Sequence, residues 1–173
     1  FDEIFSTFLV NSQIRKKIKK IKKTKKKFDT KRQNKLISNL DFSLTNDQIR
    51  TLNEINNDLS SDNKMFRLLQ GDVGSGKTIV SLLSAFNTIN SGFQVAVMAP
   101  TEILARQHFQ LAKKIFPKKM KIELLSGKSL NKDKKNILNK LLKKEIDIIF
   151  GTHALFQKKV EFKKLGLIII DEQ

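Results

Sequence analysis

Two short stretches carry residues that could do chemistry. The first, GDVGSGKT at positions 71–78, fits the spacing G-x-x-x-x-G-K-[ST]. Gly71, Gly74 and Gly76 permit backbone angles and close approaches that a Cβ would forbid. Together with Ser75 they form a turn whose successive N–H groups can point inward and cradle phosphates. A helix opening at Lys77 adds its positive dipole end. Lys77 brings a point charge to the β- and γ-phosphates, and the Thr78 hydroxyl is of the type that ligates Mg²⁺. The second stretch, LIIIDEQ at 167–173, runs four bulky aliphatics into Asp171 and Glu172. An acid at the tip of a buried strand can hold the Mg²⁺ shell, and a second beside it can polarise the water that attacks the γ-phosphate. One carboxylate alone would suit a switch or a kinase; the adjacent pair fits an ATP hydrolase.

These residues need elements to hold them. Apolar clustering and breakers predict a strand at 65–70 before the glycine loop. A helix follows at 77–90, ended by Gly92. Strands are expected at 94–99, 121–126, 147–150 and 167–170, and helices at 101–116 and 131–145. Pro100 stops the first of these strands, and Pro117 follows the helix after it. Strands separated by helices of this length argue for an α/β fold, a parallel sheet with helices on both faces. Upstream, Thr45 is placed to cap a helix with apolar positions 49, 52, 55 and 59. Apolar residues at 1, 4, 5, 8, 14, 18 and 21 predict one long helix over 1–27, followed by a connector and a short helix over 28–41.

The 173 residues suffice for one domain with a core plus an appendage. The chain begins with Phe, which suggests a piece of something longer. It has no Cys, so disulfides, thiolate nucleophiles and Cys-ligated zinc are excluded; His108 and His153 are too few for a histidine metal site. No apolar run approaches the ~20 residues that span a bilayer, and no signal pattern opens the chain. A cytoplasmic protein away from membranes is expected. The net charge is +17, and residues 15–35 hold thirteen Lys or Arg against one acid, Asp29. That segment reads either as a solvated helix or linker, or as a surface that follows a phosphate backbone.

Five stretches together resemble the superfamily 2 helicases. FSLTNDQ (42–48) is similar to their adenine-reading Q-type motif, which implies that Gln48, able to donate and accept at once, reads the adenine edge. GDVGSGKT corresponds to motif I, APTEILARQH (99–108) to motif Ia, GTHALFQ (151–157) to the next nucleic-acid motif, and DEQ to motif II. The resemblance implies that Thr101, Glu102, Arg106, Gly151, Thr152 and His153 lie near nucleic acid, where backbone N–H groups can grip phosphates. Within the superfamily the sequence looks most like the RecG family of ATP-dependent DNA helicases. The likeness is carried by positions 65–108 and 151–173, and by FDEIFSTFLVNSQIRKK (1–17), which resembles the helix joining the DNA-reading wedge domain to the motor. Transcription-repair coupling factors are near relatives, but usually have Phe where Ser75 stands and Glu where Gln173 stands.

The family likeness implies a RecA-like P-loop domain over 42–173, cut at motif II, preceded by a basic linker helix and connector over 1–41. It implies ATP and Mg²⁺ as cofactors, with Lys77, Asp171 and Glu172 catalytic. It implies branched double-stranded DNA as partner, remodelled by a monomer through junction branch migration and fork reversal in recombination and repair. Without the wedge and second motor domains, this piece should bind nucleotide weakly and hydrolyse essentially none. Two other readings stand beside it: a coupling-factor-like DNA translocase, and a non-catalytic basic nucleic-acid-binding module that keeps a relic P-loop.

Overall fold

The computed structural model describes residues 21–126, 131–157 and 160–171. Helix α1 (Thr30–Ser38) leads to α2 (Asn46–Ser60) and, after the glycine loop, to α3 (Lys77–Asn90). Then follow β1 (Gln94–Met98), α4 (Glu102–Ile115), β2 (Ile122–Leu125), α5 (Asn131–Leu142), β3 (Ile148–Gly151), a 3₁₀ turn (His153–Phe156) and β4 (Leu165–Ile170). The four strands form one sheet in the order β2-β3-β1-β4, every pair parallel. Parallel neighbours require crossovers, and here the helices supply them. The sequence expectation of a parallel α/β sheet is met.

Strand alternation divides the core. Val95 and Val97 of β1, Ile148 and Phe150 of β3 and Leu167 of β4 join the buried residues of α2, α3 and α4 in one cluster. The intervening Ala96 and Ile149 face a second cluster with Leu125, Leu141, Ile146 and Leu155. A period of two sends successive side chains to opposite faces, so β1 and β3, buried at every position, read as uninterrupted apolar runs. Helix α3 is buried almost all round, with Val80, Leu82, Leu83, Ala85, Phe86 and Ile89 enclosed. It is the central helix, and the glycine loop opens directly onto it.

Two buried polar groups organise the packing. Gln94 is fully buried at the start of β1. Its Nε2 donates to the carbonyls of Leu141 (3.0 Å) and Ile146 (2.9 Å), and its Oε1 accepts from the Lys164 N–H (3.0 Å). One amide thus ties the end of α5, the approach to β3 and the approach to β4. On the other side, Gln33 Oε1 accepts from Asn56 Nδ2 (3.0 Å) and Asn87 Nδ2 (2.6 Å), and Asn87 also donates to Asn56 Oδ1 (2.9 Å). This network joins α1, α2 and α3.

Two sequence expectations fail. Residues 65–70 do not join the sheet. Met65 and Leu69 pack against the main core, whereas Phe66 and Leu68 are 52% and 71% exposed. A strand needs a hydrogen-bonded neighbour, and β4 pairs with β1 alone among the described strands. The long helix predicted over 1–27 is absent from 21–27; residues 1–20 lie outside the described residues. Instead Lys22 forms an antiparallel bridge with Asn63, and Lys23 N–H donates to the Asp62 carbonyl (2.8 Å). The Lys23 ammonium donates to the carbonyls of Asp58 (2.9 Å) and Leu59 (2.8 Å), the C-terminal end of α2. A cation there meets the last carbonyls of the helix, of which that of Asp58 also accepts from the Ser61 hydroxyl (2.7 Å), and the negative dipole end. Lys25 pairs with Asp62 at 3.1 Å. Lys26, only 4% exposed, lies 5.0 Å from the Phe93 ring centre. Burial, reinforced by neighbouring Lys23, pushes its pKa down to about 8. A regular helix would point these lysines at water; the local tertiary partners win.

Candidate nucleotide site

The site lies where the strands end. Parallel strands deliver their C-terminal tips to one edge of the sheet, where ligands of α/β proteins collect. Met98 of β1 is in register with Gly151 of β3 and Ile170 of β4. Just beyond these tips come Thr101, Thr152 and Asp171, so motifs remote in sequence reach one edge. The Asp171 N–H continues the ladder by donating to the Met98 carbonyl (2.9 Å), which fixes its backbone.

The glycine loop precedes α3. Gly74 and Gly76 have φ of 81° and 83°, the left-handed region that favours glycine. Gly76 also caps α3, and a Cβ there would collide with the Gln48 amide. The loop holds itself closed. Lys77 Nζ donates to the carbonyls of Gly71 and Asp72, both at 2.7 Å, and the Ser75 N–H donates to the Asp72 carbonyl (3.1 Å). A phosphate entering the cradle must exchange the lysine's two carbonyl bonds for stronger, doubly charged ones.

Gln48 serves two elements. Its Oε1 accepts from the Thr45 N–H (3.0 Å) while its own N–H donates to Thr45 Oγ1 (3.3 Å), a reciprocal cap on α2. Its Nε2 donates to the Ser75 carbonyl (2.8 Å). The side chain expected at adenine therefore also fastens α2 to the phosphate loop.

Thr78 and Asp171 line one small cavity, with Ser81, Leu82, Val97, His108 and Ile169. A hydroxyl and a carboxylate on residues lining one cavity are of the types that suit Mg²⁺, which binds through one or two protein groups and keeps waters and substrate phosphates for the rest. A residue that sequence reasoning passed over as a ligand enters here. His108 Nε2 lies 2.6 Å from Asp171 Oδ2. The sequence signal was faint: one of two histidines, 63 residues from its partner. Glu172 and Gln173 lie outside the described residues.

The residues expected at nucleic acid are spread over the same edge. Thr101 is exposed, and its Oγ1 accepts from the Leu104 N–H (3.3 Å), capping α4. Arg106 is exposed and donates to Glu102 Oε1 (3.3 Å), which also accepts from Ser126 Oγ (2.6 Å). Glu102 is thus turned toward protein partners and orients Arg106. Gly151 is buried, and a Cβ on it would meet the Leu125 carbonyl at 2.9 Å, so tight strand packing alone demands glycine. Thr152 is half-buried and His153 exposed at the start of the 3₁₀ turn.

Comparison with known proteins places this arrangement. The DEAD/DEAH box helicase family model matches residues 45–173. The ATP-dependent DNA helicase RecG of Aquifex aeolicus is 46% identical over the whole chain, which spans 22% of that relative. RecG of Streptococcus pneumoniae is 52% identical over 78% of the chain, corresponding to 20% of its own length. A solved structure of RecG bound to a three-way DNA junction superposes with a TM-score of 0.90 at 44% identity, covering 99% of this chain and 24% of that one. The UvsW helicase of bacteriophage T4 superposes over 84% of the chain, and 51% of its own, with a TM-score of 0.56 at 18% identity, a likeness of fold. The chain spans about a fifth to a quarter of the RecG relatives it matches.

Proposed function

Because the chain belongs to the DEAD/DEAH box helicase family, we propose that it is the nucleotide-binding part of an ATP-driven, double-stranded DNA translocase of the RecG kind, acting on branched DNA in recombination and repair. The observation that carries the reading is the convergence of Thr78 and Asp171 on one cavity beside the phosphate loop, in a chain similar to RecG throughout. We keep the functional division into a linker over 1–41 and a motor domain over 42–173. No helix among the described residues is long and apolar enough to cross a membrane.

In this reading Gly71, Gly74, Ser75 and Gly76 present the cradle, and Lys77 leaves the Gly71 and Asp72 carbonyls for the β- and γ-phosphates. Gln48 meets adenine while bracing the loop. Thr78 and Asp171 would hold Mg²⁺, which when bound would neutralise charge on the transferring phosphoryl group. Glu172, adjacent in sequence to the held Asp171, takes the proton of the attacking water. Thr101 and Arg106, with Thr152 and His153, meet the DNA backbone; Glu102 orients Arg106, and Gly151 lets β3 and the following turn pack closely.

The test uses the intact protein. ATP turnover should rise more with three-way or four-way DNA junctions than with linear duplex, and Lys77→Ala should remove both nucleotide binding and turnover. Equal stimulation by linear and branched DNA would overturn the substrate assignment. DNA remodelling that survives Lys77→Ala would overturn the motor itself.

A further inference from the structure

The reaction as derived gives His108 no part, yet its placement is specific. It sits on α4, two helical turns beyond the Thr101 cap. Its side chain is 12% exposed and its Nε2 is 2.6 Å from Asp171 Oδ2, a short charge-assisted hydrogen bond. The Asp171 N–H is fixed separately by Met98. Backbone and one carboxylate oxygen are therefore both held, at the wall of the cavity that Thr78 also lines. Leu82, Val97 and Ile169 line the same cavity beside Thr78 and Ser81, and the Asp171 side chain itself is 29% exposed. Ligating carboxylates are commonly oriented by just such outer partners.

We propose that His108 is the positioning residue for Asp171. It aims the carboxylate at the Mg²⁺ site, and it makes that aim depend on the position of α4, the helix whose N-terminal end carries Thr101 and Arg106. The proposal rests on the reading of Asp171 as a magnesium ligand. It predicts that DNA engaging the start of α4 changes the affinity of the site for a divalent cation, through a side chain that touches neither DNA nor nucleotide.

The experiment measures binding of Mn²⁺ with ADP to the intact protein by electron paramagnetic resonance, with and without a DNA junction, and in parallel the binding of ADP without metal. Asp171→Asn should weaken Mn²⁺ binding strongly. His108→Ala should weaken it at least about tenfold, leave metal-free ADP binding unchanged and abolish the DNA-dependent difference. His108→Gln, whose amide can donate from nearly the same place, should restore most of the affinity. If Asp171→Asn leaves Mn²⁺ affinity unchanged, the ligand assignment fails, and the proposal with it. If Asp171→Asn weakens binding and His108→Ala does not, only the positioning role falls. Equal loss in His108→Ala and His108→Gln would reduce the contact to packing and also overturn it.

Discussion

Replacing Gln94 by Met should unfold the protein far more readily than the change in size suggests. The two side chains are similar in length, so the cavity term is small and the cost lies in three lost hydrogen bonds. They are not equal. The Leu141 carbonyl also accepts from the Lys144 N–H at 3.1 Å and keeps a partner. The carbonyl of Ile146, a residue 1% exposed, loses the amide that satisfied it, which costs about 1–3 kcal/mol. The Lys164 N–H is only part-buried and water recovers some of its loss. The total is about 3 kcal/mol, a large share of a typical stability. With a urea slope of about 2 kcal/mol/M, the midpoint should fall by about 1.5 M. Far-ultraviolet circular dichroism is the suitable probe, since the chain has no Trp and no Tyr. Gln94→Glu should be worse than Met: it keeps an acceptor for Lys164 but sets a buried carboxylate against two carbonyl oxygens. A midpoint shift for Met worth less than about 1 kcal/mol, or a Glu variant as stable as Met, would refute the reasoning.

Lys26→Met should stabilise the fold at pH 7 by on the order of 2 kcal/mol, because it removes a charge that folding carries into an apolar site. The folded amine releases its proton near pH 8 and the unfolded one near 10.5, so wild-type stability should climb between those values. Thermal melts at several pH values should show the variant's advantage closing over that window; a constant advantage would count against it. Lys23→Met should cost on the order of 1 kcal/mol, since it strips a charged donor from the Leu59 carbonyl while the Asp58 carbonyl keeps its bonds from Ser61. It should leave the salt dependence of DNA binding by the intact protein unaltered, whereas a slope reduced by about 0.9 would mean that this lysine neutralises a phosphate. Gly76→Ala should weaken fluorescent ADP binding more than tenfold by equilibrium titration, because its φ of 83° and the adjoining Gln48 amide leave no room for a methyl group. Glu172→Gln should retain ADP binding in the same titration and abolish ATP turnover in the intact protein; surviving turnover would dismiss Glu172 as the base.

What could be read in advance follows from how local each signal is. The glycine loop, the cap at Thr45 and the β1 and β3 runs are specified by residues a few positions apart, and they form where expected. Positions 65–70 have strand composition, but strandedness belongs to a pair, and composition names no partner. The lysines of 21–27 advertise a solvated helix; Lys22, Lys25 and Lys27 are exposed, but the half-burial of Lys23 and the burial of Lys26 depend on α2 carbonyls and the Phe93 ring, dozens of residues away. Asp171 could be placed at a strand tip from its own neighbours. Its contact with His108 could not, because it arises only when β4 pairs with β1 and α4 packs back on the sheet over β2 and β3. Gln94 carries no warning either, since a glutamine before an apolar run reads as a surface residue.

Helix α2 is fastened at both ends by groups outside it. At one end the Lys23 ammonium grips its final carbonyls; at the other, Gln48 binds the Ser75 carbonyl of the phosphate loop. Its 15 residues make a strut about 22 Å long. In mechanical terms the two attachments lie in series: tension on the backbone at 21–27 enters α2 at Asp58 and Leu59 and leaves at Ser75. The basic segment and the nucleotide cradle therefore share a load path that bypasses the sheet.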